Sequence, residues 1–100
     1  MENKDSCEMR RVDKAKDDAG DLDPGDFYFE TDSRGQRMFC SCLPNGTGLR
    51  IPLRPLIDPQ INGGHSWEWD GNEEKPTLTP SVNAVGIWHG WVRAGRFESC

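Results

Sequence analysis

One hundred residues carrying a net charge of −5 are enough for one small domain. The acidic balance argues against nucleic acid as a main partner, because phosphate neutralisation needs a basic stripe. No apolar run approaches a bilayer span and the N-terminus lacks a secretory pattern, so the expected location is the cytoplasm, where thiols stay reduced.

Residues 1–24 hold eight acidic and five basic side chains and no aromatic ring, and read as a polar, flexible arm. Every Trp, Phe and Tyr falls in residues 25–100, which form the expected domain. A core drawn from so short a stretch is thin, and domains of about 70–80 residues or fewer often add a metal or disulfide. Asp26 to Glu30 is rich in strand formers, with Phe27 and Phe29 on one face and Tyr28 on the other. A turn at Asp32-Ser33-Arg34-Gly35 leads into a second strand, Gln36 to Cys40. Asn45-Gly46 marks a tight turn in the next loop. Leu49 to Leu56, interrupted by Pro52 and Pro55, suits an edge strand or an extended crossing.

His65 to Asp70 alternates, placing His65, Trp67 and Trp69 opposite Ser66, Glu68 and Asp70. Lys75 to Pro80 is extended, and residues 81–86 read as a connection into a final hairpin. With Ala94-Gly95 as its turn, that hairpin sets Arg93 opposite Arg96, Trp91 opposite Glu98 and His89 opposite Cys100. The expected fold is a small, mostly antiparallel β domain with a C-terminal β-hairpin and few or no long helices.

Cysteine spacing suggests what staples it. Cys40-Ser41-Cys42 on a strand would put two sulfurs on one face, and the hairpin would add His89 and Cys100. Three thiolates and an imidazole make a closed tetrahedral set for structural Zn2+. Cys7 could replace Cys100, and His65 is an alternative donor. A filled coordination shell leaves no open position for substrate, which favours stability over catalysis.

Cys40-Ser41-Cys42, Trp67-Glu68-Trp69-Asp70-Gly71, the block Lys75 to Val82, His89 to Arg96 and Cys100 together form a recognisable pattern. Over residues 26–100 it resembles a family of small uncharacterised phage, prophage and bacterial proteins, many of them labelled "ammonia monooxygenase". Trp88 stands here where members often have the Cys of a Cys-His pair. The resemblance implies a phage or prophage setting without implying a reaction.

These features favour a zinc-stabilised, non-catalytic module that binds another protein, with Trp and Arg as anchors. An enzyme alternative is hydrolase-like and uses Glu68 and Asp70 as paired carboxylates. A third reading, a nucleic-acid-binding zinc module, needs Arg34, Arg37, Arg50 and Arg54 to converge beside an exposed Trp67 or Trp91. Thr77, Thr79 and Ser81 have no adjacent base recognisable in sequence, so no nucleophile is expected among them.

Overall fold

Alternation of apolar and polar side chains decides the two sheets of this protein. The computed structural model describes residues 6–100, which are mostly β strand with one short helix. In chain order the elements are β1 (Cys7–Glu8), β2 (Arg10–Arg11), α1 (Lys14–Asp18), β3 (Asp26–Thr31), β4 (Arg37–Cys42) and β5 (Gly48–Pro52). After a 3-10 turn at Ile61–Gly64 come β6 (Glu68–Trp69), β7 (Leu78–Ala84), β8 (Trp88–Arg93) and β9 (Arg96–Ser99). One sheet has the order β1-β9-β8-β7-β6 and the other β2-β3-β4-β5. No described helix is long and apolar enough to cross a membrane.

Both sheets supply one core. Phe27, Phe39, Leu43, Ile51 and Leu53 meet Leu78, Val82, Trp88, Val92 and Phe97, all buried. Phe27 and Phe39 stack with ring centroids 5.8 Å apart, and Trp88 meets Phe97 edge-on at 5.5 Å. Burial of such rings is the main favourable term for so small a domain. β8 and β9 pair with Arg93 opposite Arg96, Val92 opposite Phe97, Trp91 opposite Glu98 and Gly90 opposite Ser99. Gly90 is required there, since a Cβ would stand 2.3 Å from the Glu98 carbonyl oxygen and 2.5 Å from the Trp88 ring.

The outer face of β4 is covered as well. Tyr28, Met38 and Cys40 form a second buried cluster with Leu22 against it. The acidic arm provides that cover, and its described part is built into both sheets. β1 pairs antiparallel with β9, and β2 runs parallel to β3. Behind them the Tyr28 hydroxyl donates to Asp17 at 2.5 Å. Residues 1–5 of the arm lie outside the described residues. Asp26, fully buried, accepts from Lys16 Nζ at 2.5 Å, the Asp23 amide at 2.9 Å and Arg10 Nε at 3.2 Å.

β7 is longer than its sequence suggests. Residues 81–84 continue the strand opposite β8, with Val82 facing Gly90, Asn83 facing His89 and Ala84 facing Trp88. The register shifts between Leu78 and Val82, so this strand carries a bulge at Thr79-Pro80-Ser81. Bulges re-aim side chains, and here the re-aimed residue is Ser81.

Candidate functional site

Ser81 and His89 come together because β7 and β8 are neighbours in the sheet. Asn83 stands directly opposite His89, and Ser81 is two residues from Asn83, hence on the same face. Ser81 Oγ lies 3.3 Å from His89 Nε2. With the imidazole proton on Nδ1, the hydroxyl donates to Nε2 and the ring is placed to take its proton. Hydrogen bonds of this kind are often long before substrate binds. Ser81 is half-buried and His89 exposed, so the pair is accessible.

A groove of about 480 Å³ opens on Ser81. Its walls come from the outer edge of β7 on one side and from Leu49 and Ile51 of β5 with the segment around His65 and Trp67 on the other. Contacts between the two sheets bracket it. Trp67 donates its amide to the Pro52 carbonyl at 3.1 Å, and its own carbonyl accepts from the Arg54 amide at 2.8 Å. Toward the other end of β7 the Asn45 side-chain amide donates to the Ile87 carbonyl at 3.1 Å.

Trp67 also positions the candidate nucleophile. Its indole N–H donates to the Ser81 carbonyl at 3.3 Å and so ties the bulge to the far wall of the groove. Trp67→Phe keeps a ring and loses this donor. A bond of about 1 kcal/mol that holds Ser81 in place corresponds to a roughly fivefold fall in kcat. KM should change little, which a general loss of packing would not produce; steady-state kinetics measures the split.

The residues expected to hold zinc are distributed as follows. Cys40 and Cys42 share strand β4, and both are buried. Arg50 Nη1 donates to Cys40 Sγ at 3.1 Å and also pairs with Glu30. Burial pushes the Cys40 thiol up, an effect the Arg50 charge partly opposes. The Cys42 thiol is likewise raised by burial, and the nearby Asp26, Asp23 and Cys7 add to it. In the other sheet the Cys100 amide donates to the His89 carbonyl at 3.0 Å, with Cys100 exposed. Among the described residues no group of three or more His, Cys, Asp and Glu is arranged to hold a metal ion. The imidazole of His89 has a partner that spacing did not suggest, Ser81.

Glu68 and Asp70 have other surroundings. Asp70 Oδ1 accepts from the amides of Asn72 and Thr77, at 3.1 and 3.2 Å, and shapes the turn after β6. Glu68 is exposed and 3.9 Å from Arg54. The arginines of the nucleic-acid reading are engaged in part by carboxylates: Arg34 by Asp32 and Arg50 by Glu30. Arg37 stacks over Phe29 and Trp69.

A serine hydroxyl lining a groove and lying beside an imidazole is the pairing that serine hydrolases use. Residues 12–100 match the family described as "Bacterial ubiquitination-like system serine protease (BubE)", and the chain belongs to this family. No curated protein and no solved structure matches it. The family assignment corrects the sequence reading in three respects. The chain is not assigned to the phage and prophage family it resembles. Its main description is not that of a non-catalytic zinc-stabilised binding module, and an enzyme is expected where turnover was doubted. Residues 81–84, expected to form part of a connection, belong to β7, the strand that pairs with β8 and faces His89.

Proposed function

We propose that this protein hydrolyses peptide bonds, with Ser81 as nucleophile and His89 as general base and then general acid. The hydrolase class of the enzyme alternative is kept, and its residues are replaced. The observation that carries the reading is the 3.3 Å approach of Ser81 Oγ to His89 Nε2 beside the groove.

In the first half-reaction Ser81 Oγ attacks the scissile carbonyl carbon as its proton passes to His89 Nε2. The tetrahedral adduct collapses, the C–N bond breaks, and the imidazolium gives its proton to the departing amine. Water then attacks the acyl ester, with His89 accepting its proton and returning it to Ser81 Oγ. The products are a carboxylic acid and an amine, and the protein is regenerated. The family's description supports a protein of a ubiquitination-like system as the substrate, which gives the expected protein partner a definite role.

Digestion of a peptide library tests the proposal. Cleavages made by the wild-type protein should disappear with Ser81→Ala; cleavages that persist unchanged would overturn it.

A further inference from the structure

We infer that the substrate chain binds as an added β-strand along the open edge of β7, hydrogen-bonded to the main chain of Asn83. The inference rests on the Ser81–His89 reading and adds how the substrate is held.

β6 pairs with β7 only at Leu78 and Thr79, so the outer edge of β7 from Pro80 to Ala84 carries no described strand. That edge is the wall of the groove beside Ser81. Within a strand, the N–H and C=O of one residue point to the same side, and those of residues two apart do too. The Ser81 carbonyl points away from β8, because it meets the Trp67 indole across the groove. Asn83, two residues on, therefore turns its N–H and C=O toward the groove, while Val82 and Ala84 turn theirs toward β8. Pro80 has no N–H to offer and the Ser81 carbonyl is already engaged, so among the described residues Asn83 supplies a donor–acceptor pair on this edge with no partner.

An exposed edge of this kind is a template for another strand. Strand addition takes its affinity from main-chain hydrogen bonds and its selectivity from pockets that receive alternate side chains. A chain so placed presents side chains alternately to the apolar wall of Leu49 and Ile51 and to solvent, and passes its carbonyls close to Ser81.

The test uses reduced, carboxymethylated casein and a synthetic peptide from one of its cleavage sites, with a fluorophosphonate probe as a reporter of the Ser81–His89 pair. N-methylation of the peptide's amides one at a time should give losses of tenfold or more in kcat/KM at alternate positions around the scissile bond. Tolerance at every position, or losses without that alternation, would overturn strand addition. Asn83→Pro, which deletes the edge N–H at a position where an edge strand accepts proline, should lower kcat/KM tenfold or more while the probe still labels Ser81. Cleavage at the wild-type rate in that variant would overturn the inference, and if the variant fails to fold the N-methyl series decides. Wild-type protein that takes the probe at Ser81 and cleaves the peptide, yet loses nothing to the alternate N-methyl groups, would contradict strand addition alone, whereas failure of the probe to label Ser81 would count against the nucleophile.

Discussion

Ser81→Ala should lower kcat/KM by about 10³-fold or more, and melting should stay close to that of the wild-type protein. In the proposed reaction this hydroxyl is the atom that forms the acyl bond. Its structural contribution is small by comparison. Ser81 is half-buried, its side-chain hydrogen bond is to an exposed histidine, and its carbonyl contact with Trp67 does not depend on the hydroxyl. Loss of activity with the fold retained is the signature of a nucleophile. Equal loss of both would point to a structural serine, and retention of both would remove Ser81 from the reaction.

The second large effect concerns stability and lies in the other sheet. Asp26→Ala should destabilise the protein by about 3 kcal/mol at pH 7, because the buried carboxylate accepts charge-assisted bonds that join the arm to β3. Burial by itself would raise the Asp26 pKa, but the Lys16 hydrogen bond, the Asp23 amide and the charges of Lys16 and Arg10 hold it below the usual value. A depressed folded-state pKa stabilises fully above the unfolded value of about 3.9, and this contribution disappears as pH falls through the folded value. The gap between wild type and Asp26→Ala in urea unfolding should therefore be wide at pH 7 and should shrink progressively as pH falls below about 4. A gap unchanged by acid would show that lost packing, not the carboxylate's charge, causes the effect.

Much of the fold is readable from local patterns. Phe27 and Phe29 alternate with Tyr28, and the structure sends the phenylalanines to the shared core and Tyr28 to the opposite face. Ala94-Gly95 is short enough to fix the pairing of β8 with β9. The proposed Ser81–His89 pair was harder to read for a reason in the chain itself. Ser81 follows Pro80 and is displaced by a bulge, so no simple spacing relates it to His89. Only with a three-residue loop at Val85-Gly86-Ile87 does Asn83 fall opposite His89 and Ser81 join the same face; a two-residue turn at Val85-Gly86 would set Asn83 opposite Trp88. Cys40, read from its spacing as a zinc ligand, lies in the buried cluster with Tyr28 and Met38, and Asp70, which alternates with Glu68, shapes the turn after β6. The groove was not legible at all, because its walls come from β5 and β7, which belong to different sheets.

The central claim is that Ser81 is an activated nucleophile, and the most direct measurement is the site of a covalent fluorophosphonate adduct located by tandem mass spectrometry. The account predicts a single adduct on Ser81 of the wild-type protein, strongly reduced when His89 is replaced by Gln. An adduct on another hydroxyl of the same groove, such as Ser66, or labelling of Ser81 that is indifferent to His89, would contradict it.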